Sequence, residues 1–190
     1  MKDKIKKLFG RKSMRSITTL FSGSLIAQLI VVGSSPFLSR IYTDEEMGIY
    51  TLMVTVVTLF GSVACLKYEP AIVVAADDDE AYNILGLCFF LCVGVSVLTA
   101  IGYGIYLHFK PEIMESAGVF ALLTVITLFL TGMNDALFSF NTRFKNYNLI
   151  SKAYVTSSAL KYSAQIGLGL LGCGTAGLNT ANMTGTALGT

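Results

Sequence analysis

Charge is scarce in this chain. Only 14% of its 190 residues are Asp, Glu, Lys or Arg, against 53% that are hydrophobic. A water-soluble domain of this length carries roughly a quarter charged residues, so there is too little charge here to cover a water-facing surface. Histidine is scarcer still, with His108 alone. Cys88 and Cys92 share a helix face at i, i+4, which is half of a metal site, but no His or second Cys pair completes it. The four cysteines, Cys65, Cys88, Cys92 and Cys173, sit in or beside apolar runs. None faces a disulfide partner in a loop, and they read as small apolar packing residues. Also missing is any long polar stretch. The N-terminal tail is the longest and Leu66–Glu80 is second, and neither could bury a core, which excludes a soluble catalytic domain.

What the chain has instead is long apolar runs. Spanning hydrocarbon takes about 20 mostly apolar residues, and 17–38, 47–66, 81–107, 117–138 and 148–171 meet that length. A further run begins near Thr175 and continues to Thr190 with no closing loop, charged flank or stop signal, so the chain is expected to end in mid-helix. Lipid supplies no hydrogen bonds, so such spans must be helices; they are too long and too evenly apolar for barrel strands. The expected architecture is therefore all-α, a polytopic bundle of about six transmembrane helices over 17–190, preceded by a basic tail over 1–16. The first apolar run exceeds the roughly 7–15 residues of a signal-peptide core, and no small-x-small cleavage site follows it, so it is read as retained.

Seven of the fourteen Lys and Arg lie in the first fifteen residues. With that tail inside, eleven basic residues fall on the inner side and only Arg40 and Lys110 on the outer, which orients the N-terminus to the cytoplasm. Thr43-Asp44-Glu45-Glu46 is expected to cap the second helix and Asp77–Glu80 the third, since a hydroxyl and acids suit a helix N-terminus. Pro36 is expected to kink or end the first helix.

Polar residues inside the runs recur with helical spacing. Ser24, Gln28, Val31, Ser35 and Ser39 follow one stripe; Thr51, Thr55, Thr58, Ser62 and Cys65 follow another that continues to Glu69. Thr124, Thr127, Thr131 and Asn134–Asp135 form a third, and Ser151, Tyr154, Ser158, Lys161–Tyr162 and Gln165 a fourth. Each set shares one helix face, and polar faces in lipid turn to other helices or to water. Small hydroxyls alone are adequate helix–helix glue. Lys161 asks for more, because a charge near mid-span costs about 3 kcal/mol on insertion scales. Water, a carboxylate or an anionic ligand must meet it. The run Gly167–Gly174 superficially resembles a dinucleotide loop, but a real one follows a strand and opens a helix; here it ends a span, so tight packing and a turn are expected.

Ala27-Gln28, Ser35-Pro36-Phe37-Leu38-Ser39-Arg40-Ile41-Tyr42-Thr43, Gly48-Ile49-Tyr50 and Lys67-Tyr68-Glu69-Pro70-Ala71-Ile72-Val73 together resemble the N-terminal part of polysaccharide biosynthesis proteins. These are lipid-linked oligosaccharide (O-antigen) flippases of the multidrug/oligosaccharidyl-lipid/polysaccharide exporter superfamily. The resemblance covers about the first 85 residues and the Ser35–Tyr42 motif is its most specific part. It implies one lobe of a two-lobed, alternating-access transporter in the bacterial inner membrane, not an enzyme. The implied substrate is an undecaprenyl-pyrophosphate-linked repeat unit, and the implied partners are membrane lipids and a polysaccharide polymerase or ligase, with no nucleic acid. On this reading Lys161 and Arg40 meet the diphosphate, and Gln28, Tyr154 and Gln165 meet sugar hydroxyls. Asp135 and Glu69 couple H+ or Na+; no cofactor or metal is expected. A drug or metabolite exporter of the same superfamily, and an inactive truncated product, are the alternatives.

Overall fold

The computed structural model describes residues 11–109 and 114–189. Every element among them is helical: α1 (Arg11–Ile41), α2 (Asp44–Gly61), α3 (Glu69–Val74), α4 (Asp78–Phe109), α5 (Met114–Arg143), α6 (Tyr147–Leu170) and α7 (Gly174–Gly189). Most of the expected basic tail, residues 1–10, and the outer Lys110 lie outside the described residues.

Three helices are long and apolar enough to cross a membrane, through Thr18–Ile41, Asp78–Ile105 and Leu122–Arg143. The other runs fall short for physical reasons. α2 opens on Asp44, Glu45 and Glu46. α6 carries Lys152 and Lys161 among its hydroxyls. α7 has 16 residues, about 24 Å at 1.5 Å per residue.

Local chemistry sets the ends of these helices. Thr43 and Glu46 form a reciprocal capping box at α2, the Glu46 backbone N–H donating to Thr43 Oγ1 and the Thr43 N–H to Glu46 Oε2 at 2.9 Å. At α4 the Ala76 N–H donates to Glu80 Oε2 at 2.6 Å. α6 stops before Gly172 and Gly174, both at positive φ, so the glycine run is a helix-to-helix turn. Pro36 lies inside α1, which continues to Ile41, so it does not end the helix. One boundary differs from expectation. α2 ends at Gly61, not near residue 66, and irregular turns over 62–67 lead to the short α3. Leu66 and Lys67 there take φ of 49° and 60°, which L residues adopt at a cost.

α6 packs against α7 and α1, while α5 packs against α4, α7, α3 and α2. Close approach is made by small residues. α1 turns Gly23, Ala27, Ser34 and Leu38 inward, and Gly23 lies directly against Ser151 of α6. Gly132 of α5 faces Cys92 of α4 and Ala64, and Gly185 of α7 faces Lys161 and Ser157 of α6. This is the small-residue packing expected where helices associate without a hydrophobic driving force.

Two cores form. One gathers Ala64, Cys65, Ile72, Ala81, Cys88, Cys92 and Ala136, and the other gathers Leu38, Tyr42 and Leu178. Beside the first, Arg143 closes the α3–α4 turn, donating to Ala75 O at 2.7 Å and Ile72 O at 3.3 Å and pairing with Asp78 Oδ1 at 3.1 Å. Beside the second, the Tyr42 hydroxyl donates to Gln165 O at 2.6 Å. Burial, with Cys173 and Glu46 nearby, raises the Tyr42 phenol above its ordinary value and keeps it a protonated donor.

A Cβ built on Gly132 would lie 2.7 Å from Cys92 Sγ and 2.8 Å from Ala64 Cβ. Gly132→Val is therefore expected to destabilise the fold by about 1–3 kcal/mol. Thermal unfolding of the detergent-solubilised protein checks this, and an unchanged midpoint would show that the helices can separate freely there.

Candidate functional site

The third and fourth polar stripes meet in one place. α5, α6 and α7 enclose a cavity of about 560 Å³ whose wall includes Asn134, Asp135, Tyr154, Ser157, Lys161 and Thr186. Helix spacing explains the wall. Residues 154, 157 and 161 fall at i, i+3, i+7 of α6, and 134 and 141 fall at i, i+7 of α5, so each helix offers one polar face.

Two close contacts with α7 give the cavity its third wall. Gly185 lies against the Cβ of Lys161, and Gly189 lies 3.1 Å, measured from an ideal Cβ, from Asn134 Oδ1. Asn134 Nδ2 donates to Thr186 O at 2.8 Å and ties α5 to α7. Lys161, its Cβ against Gly185, is one of the residues that line the cavity.

Lys161 is half-buried. Its ammonium lies 5.6 Å from the centre of the Tyr162 ring. Among the described residues, Arg143–Asp78 is the ion pair found, and Lys161 has no carboxylate within salt-bridge distance. Asp135 shares the cavity wall and is exposed. Tyr154, also exposed, stacks edge-on with Phe138 at 6.0 Å. The cavity wall thus carries Lys161 with no carboxylate in salt-bridge contact, beside hydroxyl and amide groups. Such a set can bind an anion and hydrogen-bond polyols.

The other residues singled out in the sequence lie elsewhere. Gln28 and Arg40 are on the exposed face of α1, with Ser24, Ser35 and Ser39. Thr51, Thr55, Thr58 and Ser62 are on the exposed face of α2, where each hydroxyl donates to its own helix's carbonyls, for example Thr51 to Met47 O at 2.7 Å. Gln165 is 1% exposed, and its Nε2 donates to Tyr50 Oη at 3.1 Å. Glu69 is 5% exposed in α3, with Oε1 lacking a hydrogen-bond partner among the described residues.

Lys152, Asn141 and Thr186 join the cavity wall without having been singled out. Extending the α5 stripe by one heptad-like step from Asn134 reaches Asn141. Nothing in the α7 sequence marks Thr186, whose carbonyl rather than its side chain receives the Asn134 bond. A second hollow of about 660 Å³ lies between α2 and α4, lined almost wholly by apolar groups such as Val56, Phe60 and Leu98. It offers little to orient a polar ligand.

The cavity residues should divide by role on substitution. Asn134→Ala should cost about 1 kcal/mol of stability through the lost bond to Thr186 O, whereas Lys161→Met, which removes an unpaired charge, should leave the unfolding midpoint unchanged or raise it. Thermal melts of the two variants check this; a fall of several degrees in Lys161→Met would mark the lysine as a structural group. No protein-family model, curated protein or solved structure matches this chain.

Proposed function

We propose that the chain forms one helical lobe of an alternating-access transporter that moves an undecaprenyl-pyrophosphate-linked oligosaccharide across the bacterial plasma membrane. The observation that carries this reading is Lys161, without a carboxylate within salt-bridge distance among the described residues, in the wall of a partly polar cavity between α5, α6 and α7. The diphosphate is the part of such a substrate least able to cross hydrocarbon. A cation in a low-dielectric, water-filled recess replaces its hydration with charge-assisted bonds. Tyr154, Ser157 and Asn134 Oδ1 would meet sugar hydroxyls.

The remaining features fit the same reading. Three spans are apolar enough to cross by themselves. α2, α6 and α7 cross with them in the proposed six-helix lobe, their polar faces sheltered by neighbours. The exposed polar faces of α1 and α2, with Gln28 and Arg40, then border a cleft shared with a second lobe, not lipid. The N-terminus is cytoplasmic by its lysines and arginines. In that orientation the cavity lies towards the cytoplasmic side, where the α5–α6 turn also sits, and receives substrate from there. Asp135 and Glu69 are the carboxylates through which H+ or Na+ would couple.

Asp135 on the same wall favours a second reading, export of organic cations. The two readings part on substitution. Under the first, Lys161→Ala in the full chain abolishes surface polysaccharide in its host while the protein level persists. One lost charge-assisted contact is worth about 1.5–3 kcal/mol. Normal polysaccharide in that strain, with resistance to organic cations lost in Asp135→Asn, would select the exporter.

A further inference from the structure

The first core contains a pair of sulfurs that spacing along the chain does not bring together. Cys65 Sγ lies 2.8 Å from Cys92 Sγ, well inside ordinary non-bonded sulfur contact, and all four cysteines are free thiols in this structure. Both residues are fully buried. The room for them comes from Gly132, since any Cβ there would strike Cys92 Sγ at 2.7 Å. Cys88 is one turn away on α4, but Cys65 Sγ approaches its carbonyl oxygen, at 3.8 Å, and Gly132 O at 3.5 Å. Cys92 is therefore the sulfur partner. Among the described residues no three His, Cys, Asp or Glu groups converge on a metal position. The arrangement suits a two-sulfur bond and not a metal cage.

We propose that Cys65 and Cys92 are a modification site, closing to a reversible disulfide. The two thiols give up two protons and two electrons, one S–S bond forms, and a quinone dissolved in the bilayer takes both and leaves as the quinol. The pair is fully buried, so a small membrane-soluble acceptor of this class reaches it only when the packing around the turn opens. The bond would act at a defined place. Cys65 stands in the irregular turn after α2, just before Leu66 and Lys67 in their left-handed conformation. Joined to Cys92, that turn is fastened to the middle of α4, and the link between α2 and α3 loses its freedom.

The test uses the full chain in lipid, treated with a fully methylated benzoquinone, which cannot add to thiols through a ring position. The protein is then denatured and its remaining thiols are counted with a mass-tagged maleimide. Oxidised wild type is expected to fall from four tags to two, because the chain has four cysteines. Cys88→Ser is expected to fall from three to one, while Cys65→Ser and Cys92→Ser hold all three. Proteolysis of the oxidised wild type, which needs no variant to fold, should yield a peptide with Cys65 joined to Cys92; cleavage at Phe89 and Phe90 separates Cys92 from Cys88. The oxidised protein should also melt at a higher temperature, since the closed loop restricts the unfolded chain. Four tags retained by wild type, a crosslink to Cys88, or tag loss persisting in Cys65→Ser would overturn the proposal.

Discussion

Hydrocarbon gives a polar group no hydrogen bond, and that constraint acts on the three spans apolar enough to cross a membrane. The backbone answers it with helices throughout the described residues. Threonine and serine answer it by bonding to their own helix, as Thr51, Thr55 and Thr58 do on the open face of α2. The long amides answer it across helices, Asn134 to Thr186 O and Gln165 to Tyr50. Arg143 is satisfied by Asp78 and two carbonyls. Lys161 stands apart, with no acceptor of comparable kind among the described residues. Glu69 Oε1, Ser96 Oγ and Gln165 Oε1 also lack a hydrogen-bond partner among these residues, but they are buried, whereas Lys161 lines a cavity.

Packing and function meet at Gly185. α7 can approach α6 only because position 185 carries no side chain, and the stem of Lys161 lies against that gap. The same approach brings Thr186 and Gly189 to Asn134, so one helix contact both builds the third wall of the cavity and holds Lys161 among its lining residues. A similar economy holds at Gly132, where one missing Cβ lets α5 close on α4 and leaves room for the Cys65–Cys92 pair. Small residues decide which chemical groups come together here, and larger ones fill the space that remains.

Much of this was legible in the sequence, and the exceptions have physical causes. Apolar runs located the helices, because hydrocarbon selects for them directly. Thr43 and Glu46 announced their capping box through spacing alone, and the Gly172–Gly174 turn through its glycines. The facing of Lys161, Tyr154 and Asp135 towards one cavity followed from helical periodicity on α5 and α6. The early end of α2 at Gly61 was hidden, because Ser62 to Leu66 are as apolar as the helix before them and hydropathy cannot see a turn. The depth of Gln165 was hidden too: a stripe places it on the same face as Lys161, yet Tyr42 and Tyr50 reach it from other helices. The Cys65–Cys92 contact depends on how the turn after α2 and α4 both pack on Gly132 of α5, which no local pattern records.

The claim on which the account rests is that position 161 opens to water and accepts an anion. The direct measurement is chemical accessibility of Lys161→Cys in a Cys173→Ser background, Cys173 being the exposed native thiol. In sealed vesicles carrying the full chain, a negatively charged, water-soluble thiol reagent should label that position, and a prenyl diphosphate added beforehand should protect Ser157→Cys, on the same cavity wall with Lys161 intact. Labelling only by a lipid-soluble reagent, with no protection by the diphosphate, would mean that the side chain faces acyl chains, and would contradict the account.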